Sequence, residues 1–469
     1  MLQRLSKVWG SLSPERFFLV TALIFGVLFV FIVPPFNNPD EPTHLFRVYQ
    51  LSTLHLFGEQ KDESILTTVP ASFIDVVKAS VSPNGKDLYF HPENKITPAY
   101  ILNMSHHSLN EHKTNKTPFS GAATYSPTSY IAQVIVMWLG RLLRLPPIIL
   151  LYTIRLAGLG LYVGAVYYAL KILPYRKWTI ALIALLPMSL AQASAVTADS
   201  SLIASLILFM AIVLYTRSGG VNISTSMKIL LALTTIVLGM SKQVFVLAIP
   251  LLFFVPSEVF ASRQRSTRYK WALGLAVLVL ACIWGTTNPS IQNLARPVVA
   301  NDVHSRISIT LHHPIHLAII ATNTFFTTNS NGLYTTLAGD FGWLDTPLPV
   351  WAVGGILGVL FYCLATEYGG KKLRPIRYYN RSIAVIAAGL FTLTCVVFYL
   401  YWTPIGSRQI LGLQGRYFIP VIVLIALLQG KKLFQTSEKQ YKWIVLVSTP
   451  IMLAASILTI ISRFYLRVQ

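Results

Sequence analysis

Charge is scarce in this chain, and carboxylate charge most of all. Of 469 residues only 17 are Asp or Glu, and Lys, Arg, Asp and Glu together make up 12%. That excludes an ordinary soluble domain. Cysteine is nearly absent: Cys282, Cys363 and Cys395 all lie inside apolar runs, which excludes a disulfide framework in the outer loops. No small-residue cleavage site follows the first apolar run, Phe17 to Val33, although basic Arg4, Lys7 and Arg16 precede it, so it reads as a retained span and not a signal peptide. No Gly-rich nucleotide loop follows a strand pattern, which leaves ATP or nucleotide-sugar binding without support. The histidines lack tight metal spacing; His312, His313 and His316 could meet on a helix, but the pattern argues against zinc.

What is present is apolar. Hydrophobic residues make up 54% of the chain and mean hydropathy is +0.58, the profile of an all-α polytopic membrane protein. The net charge of +21 fits lysines and arginines in cytoplasmic loops better than nucleic-acid binding. With the N-terminus inside, Phe17–Val33 crosses outward and a long polar segment lies outside. Ser126–Leu145 reads as an outer juxtamembrane helix, because a full crossing would put the later basic loops on the wrong side. Further spans are expected at Ile148–Leu170, Trp178–Val196, Ser200–Tyr215, Trp271–Thr287, Leu348–Thr366, Ser382–Trp402, Tyr417–Leu428 and Trp443–Ile461. Ile229–Pro256 has basic flanks on both sides, Lys228 before it and Arg263, Arg265, Arg268 and Lys270 after it. It must therefore cross twice, as a hairpin turning at Ser241-Lys242-Gln243. Each arm of about 14 residues reaches roughly 21 Å, short of a ~30 Å core, so Lys242 should face a polar cavity below the outer surface. The total is about 11 spans. The chain divides into 1–35 (cytoplasmic N-terminus and first span), 36–147 (large first extracytoplasmic loop), 148–287 (transmembrane core), 288–346 (second extracytoplasmic loop) and 347–469 (C-terminal spans). All ten histidines and most acidic residues then fall outside, as would any chemistry.

Three clusters stand out on that face. Directly after the first span comes Pro39-Asp40-Glu41-Pro42-Thr43-His44, with Arg47 a turn further on. Adjacent carboxylates repel each other and are costly at a bilayer surface, which suggests a base or a cation ligand. A helix start, with Asn38 or Asp40 as N-cap and Pro42 in the first turn, is a compatible reading. Asp199 lies at the outer end of one span and the start of the next, either as a plain N-cap or as a third carboxylate at the depth of Asp40 and Glu41. Such a set can hold a divalent cation or divide into base and ligand roles. Arg408 and Arg416 occupy a short glycine-rich outer loop where positive charge is normally avoided; they either bind an anion or snorkel to headgroups. Gly342-Trp343-Leu344-Asp345 reads as an interfacial turn anchored by Trp343.

Taken with Pro187…Asp199 and Gln414-Gly415-Arg416-Tyr417-Phe418-Ile419-Pro420, these motifs resemble a bacterial membrane family catalogued only as a domain of unknown function. That family is similar in layout to the GT-C superfamily of polyprenyl-phosphate-dependent glycosyltransferases. The resemblance implies an inverting glycosyltransferase in the cell membrane with its active site on the extracytoplasmic face. It would move a sugar from a polyprenyl-phosphate donor to a cell-envelope glycan acceptor. Asp40, with Glu41 beside it, matches the aspartate that such enzymes carry past the first span, and Asp199 matches their second acidic position. Asp199 is followed by Ser200 and Ser201 rather than by a second acid, so a cation such as Mg or Mn is left open, with Asp40 and Asp199 as its ligands if it binds. On this reading Asp40 is the base, oriented by His44 or Arg47, while Lys242, Arg408 and Arg416 neutralise the leaving phosphate. The alternatives are an O-antigen-type polymerase or ligase, a lipid-linked glycan transporter, and a non-catalytic envelope scaffold. A transporter should carry acids near the bilayer midplane, where this sequence has almost none.

Overall fold

The computed structural model describes residues 12–62, 64–219, 223–294, 307–327 without 309, 311 and 313, 331–367, 378–404, 406–430, 434 and 436–466. Basic residues Lys371, Lys372, Arg374, Arg377, Lys431 and Lys432, with His304 and His313, lie outside the described residues.

Proline sets the first boundaries. Helix α1 (Pro14–Ile32) starts at a proline and stops before Pro34-Pro35; α2 (Glu41–Ser52) restarts with Pro42 in its first turn. The outer segment then adds strands β1 (Glu59–Lys61) and β2 (Ser64–Pro70), helix α3 (Ala71–Val81) and strand β3 (Thr114–Pro118). Next come α4 (Ile131–Leu142), α5 (Pro147–Ile172), α6 (Lys177–Ala184), α7 (Pro187–Ala193), α8 (Asp199–Gly219) and α9 (Thr225–Ser241). A 3₁₀ arm over Gln243–Phe254 folds back along α9. Helix α10 (Arg263–Thr287) follows, then α11 (Pro314–Phe326), α12 (Asn331–Ala338), a ribbon of β4 (Asp340–Phe341) and β5 (Thr346–Pro347), α13 (Val350–Thr366), α14 (Tyr379–Trp402), α15 (Ile419–Ala426) and α16 (Glu438–Phe464). Among the described residues six helices, α1, α5, α8, α10, α14 and α16, are long and apolar enough to cross a membrane. The three cysteines are free.

The bundle has two chemically distinct ends. At one, Glu367 accepts hydrogen bonds from the Trp178 and Thr179 amides and the Thr179 hydroxyl (3.1, 2.6 and 2.6 Å), and Arg176 donates to the Leu364 carbonyl (2.7 Å). At the other, the C-terminus of α16 meets the outer segment. Tyr465 donates to the Ile32 carbonyl (2.9 Å), the Ile96 amide to the Phe464 carbonyl (3.0 Å), and Arg463 pairs with Asp345 (2.8 Å). The first carboxylate cluster, the start of α8 and the hairpin turn share this second end.

Three expectations are corrected. The chain is mostly helical but not all-α: β1-β2-β3 form an antiparallel sheet. Ser64-Ile65-Leu66-Thr67-Thr68-Val69 is rich in β-branched residues and buries Ile65, Thr67 and Val69 on one face, a period-two pattern that favours a strand. The expected span Trp178–Val196 is two short helices, α6 and α7, broken before Pro187, whose ring cannot continue a helix. Nearly every residue here is buried, and broken helices are tolerated at membrane depth where protein surrounds them. Trp343 is not a simple interfacial anchor: its indole donates to the Phe36 carbonyl (3.2 Å) while its ring packs on Tyr89 at 4.4 Å.

Candidate functional site

The turn between α1 and α2 is held in an unfavourable conformation. Phe36 and Asp40 are both left-handed, with φ of 61° and 60°, a region that non-glycine residues avoid. Trp343 and Tyr89 both donate to the Phe36 carbonyl and clamp it there. Such backbone persists where the surrounding structure over-determines it, and it clusters at functional sites. Asp40 caps nothing with its side chain; its carbonyl accepts from the His44 amide (3.1 Å) and the Thr43 hydroxyl (2.8 Å), leaving an exposed carboxylate.

Glu41, one residue on, differs completely. Its carboxylate meets Arg155 Nε and Nη2 at 2.8 and 2.5 Å and accepts from the Val196 amide at 3.1 Å. Arg155 also donates to the Val30, Val33 and Pro34 carbonyls. Both side chains are fully buried. The pair locks α1, α5, the α2 start and the α7–α8 connection together.

Polar residues of α2 recur at every third position, Glu41, His44, Arg47 and Gln50, and all four are buried. His44 Nδ1 shares a 2.6 Å hydrogen bond with the Tyr130 hydroxyl. Burial pushes its pKa down to about 4, against the upward pull of Asp40 and Asp199, so the ring is neutral near pH 7. Arg47 donates to Gln50, to the Leu56 carbonyl (2.8 Å) and to the Tyr125 carbonyl (3.0 Å). It ties α2 to the Tyr125 backbone and is not among the residues lining the cavity around Lys242.

Asp199, Lys242 and Arg416 converge although they lie far apart in sequence. Chain reversal after α9 presents Lys242, whose ammonium lies 2.6 Å from Asp199 Oδ1. A serine relay fixes that turn: Ser201 donates to the Ser129 carbonyl (2.7 Å), and Ser129 to the Ser241 hydroxyl (2.9 Å). Lys242 also lies over the Tyr417 ring, 4.7 Å from its centroid, and near Tyr125 at 5.9 Å. Arg416 flanks the same Tyr417 ring at 5.4 Å, and its buried Nε has no hydrogen-bond partner. Gly415 makes that approach feasible: a Cβ there would stand 2.0 Å from the Leu333 carbonyl oxygen, so only glycine lets the loop settle against α12.

These groups line a cavity of about 320 Å³. Asp199, Lys242, Arg416, Tyr125 and Tyr417 form its polar part, while Leu202, Ile203, Val397 and Phe398 form an apolar wall. Asp40 is not among the residues lining the cavity, but its charge lies close enough to bear on His44, Tyr130 and Arg416. With Asp199 engaged by Lys242, Arg416 leaves one positive charge for an anion. Arg408 is exposed and does not line the cavity. The donor set does not fit a divalent cation held by Asp40 and Asp199, because the Lys242 ammonium already sits on Asp199. Among the described residues no group of three or more His, Cys, Asp or Glu gathers. Sequence reasoning missed Tyr125, Tyr130 and Tyr417. Their only signal was position: Tyr125 and Tyr130 bracket Ser126–Ser129, and Tyr417 follows Arg416.

The apolar bundle, with a polar cavity near one end, is that of a membrane protein. Residues 23–425 match the family described as "Predicted membrane protein (DUF2142)", and the chain belongs to that family. No curated protein and no solved structure matches it.

Proposed function

We propose that this protein is an inverting, GT-C-like glycosyltransferase that takes a sugar from a polyprenyl-phosphate donor and transfers it to a cell-envelope glycan. The observation that carries this reading is an unbonded carboxylate, Asp40, held within electrostatic reach of a cationic cavity whose other wall is apolar. Lys242 and Arg416 suit a phosphate, the apolar wall suits a prenyl chain, and the exposed Asp40 suits an acceptor arriving from solvent. In the step, the acceptor hydroxyl oxygen attacks the anomeric carbon on the face opposite the phosphate. The anomeric C–O bond breaks, its electron pair leaves with the polyprenyl phosphate, and the hydroxyl proton passes to the Asp40 carboxylate. Arg416 and Lys242 stabilise the charge developing on the leaving phosphate. Neutral His44 and Tyr130 hold the α2 start beside the cavity. No step needs a metal.

The same reading supplies a topology of about 11 spans. The shorter apolar helices α9 and α13, the broken pair α6–α7, the 3₁₀ arm and the segment Gly415–Ala426 would complete the crossings. Helix α4, too short to cross at 12 residues, would lie along the outer surface with Ile131, Ile135, Trp138 and Leu142 toward lipid.

Asp40→Asn tests the assignment, because asparagine tolerates the left-handed backbone and removes only the base. Loss of a positioned base lowers rate by ~10²–10⁴. Envelope glycans from cells carrying the variant should lack the modification seen with wild type at equal protein level. Unchanged glycans would remove Asp40 as base. Loss with Arg416→Ala but not with Asp40→Asn would favour the polymerase or ligase reading.

A further inference from the structure

A groove of about 510 Å³ lies where the short helix Pro98–Asn103 of the outer segment meets the bundle, at the start of α5 and the ends of α1 and α16. Phe31, Ile149, Tyr152, Ile461 and Tyr465 line it from the bundle and Leu102 from the outer segment, and it shares no residue with the cationic cavity. Its walls are fixed. Phe31 stacks on Tyr152 at 5.2 Å, and Tyr465 donates to the Ile32 carbonyl (2.9 Å). The Ile96 amide donates to the Phe464 carbonyl (3.0 Å), and the Thr97 hydroxyl caps the short helix by accepting from the Tyr100 amide (3.2 Å). The groove also continues a membrane face. Ile24, Leu28 and Phe31 recur at helical spacing on α1 and are all exposed, so the groove closes the end of a lipid-facing stripe, with exposed Leu102 at its rim.

An apolar hollow stays dry, and left empty its lining forfeits dispersion contacts. At the end of a lipid-facing stripe, a chain from the bilayer supplies them. The charge nearby is Lys95, three residues ahead of Pro98. Its ammonium donates to the Ser462 and Arg463 carbonyls (3.1 and 2.8 Å), in the same turn of α16 that gives the groove Ile461 and Tyr465. Two of its three N–H groups are used and one is left, and among the described residues Lys95 pairs with no carboxylate. The hydroxyls of Ser105 and Tyr465 both donate to backbone carbonyls, so neither is kept for a sugar. We propose that the groove seats an acyl chain of a membrane phospholipid, in the leaflet on the cavity's side, with the lipid phosphate against Lys95. A single ammonium suits the single charge of a phosphodiester. The lipid fastens the outer segment to α1, α5 and α16, whatever the cationic cavity binds.

Native mass spectrometry tests this on full-length protein reconstituted with phosphatidylglycerol, phosphatidylethanolamine and a polyprenyl phosphate, then moved into mild detergent. Wild type should retain a phospholipid. Ile101→Trp, which brings bulk into the groove, should lower the retained fraction roughly tenfold. Leu102→Trp, on the exposed rim, is the second variant should that one misfold. Lys95→Ala should lower retention several-fold. Gly164→Leu, which adds bulk in open space on the exposed face of α5, should keep the phospholipid like wild type. Arg416→Ala should keep it too while losing the polyprenyl phosphate; polyprenyl phosphate held equally by that variant would count against the transferase reading and spare the groove. No retained phospholipid, equal retention by the groove and Lys95 variants, or loss of phospholipid with Gly164→Leu or Arg416→Ala would overturn the inference. So would a polyprenyl phosphate as the one lipid that the groove variants lose.

Discussion

Two ion pairs lie at the same end of this bundle, and the difference between them separates scaffold from site. Glu41–Arg155 is sealed: both side chains are fully buried, and backbone carbonyls and an amide take up the remaining bonds. Asp199–Lys242 is open: the side chains keep 14% and 22% of their exposure, a third charge stands alongside at Arg416, and all three border a cavity. Residue types and pair distances are similar in both. Saturation and access differ. A charge pair with every bond engaged can only hold elements together, whereas one facing a cavity with an unengaged guanidinium N–H beside it can still answer to a ligand.

The comparison breaks first on the sealed pair. Glu41→Gln leaves Arg155 buried without its counter-charge, which typically costs about 3–5 kcal/mol. Thermal unfolding in detergent should show a large loss of stability, whereas Asp40→Asn next door should melt like wild type and lose activity alone. A Glu41→Gln protein that is stable but inactive would give Glu41 back its place as a catalytic candidate. A smaller effect is expected at Gly415. Its alanine variant must shift the backbone against Leu333, an overpacking cost of about 1–3 kcal/mol. Phosphate-lipid affinity should fall along with stability, because Arg416 moves with the loop; unaltered affinity would detach Arg416 from the cavity. The smallest effect is one of pH. His44 has its pKa lowered from 6.5 to about 4 in the folded chain, so between those values the unfolded chain binds the extra proton. Its contribution to stability is complete above 6.5 and is lost as pH falls toward 4. Melting temperatures of wild type and His44→Gln should therefore diverge across that window and run parallel above it.

Much of the site's cast was legible in the sequence, and the reason is charge placement. Asp40, Asp199, Lys242 and Arg416 were singled out because charge at a membrane boundary is costly without a purpose, and the structure brings them to one end. The hairpin at Lys242 followed from counting basic flanks. What pattern could not separate was Asp40 from Glu41, because no rule of spacing reveals that Arg155, 114 positions away, engages only the second. Arg47 looked like a ligand residue for the same reason, and two carbonyls claim it. Arg408 shares a loop with Arg416, but it stays exposed while Gly415 draws only Arg416 inward. The sheet was hidden because its strands are short and interrupted by a long helical excursion between β2 and β3.

The central claim is that Arg416 and Lys242 receive a lipid-linked phosphate at this cavity. Its most direct test is equilibrium binding of a polyprenyl-phosphate hexose to purified protein in lipid nanodiscs, wild type against Arg416→Ala. A charge-assisted hydrogen bond is worth about 1.5–3 kcal/mol, so the expected result is saturable wild-type binding that weakens roughly ten- to a hundredfold in the variant at unchanged melting temperature. Equal affinity in the two proteins, or no binding by wild type, would contradict it.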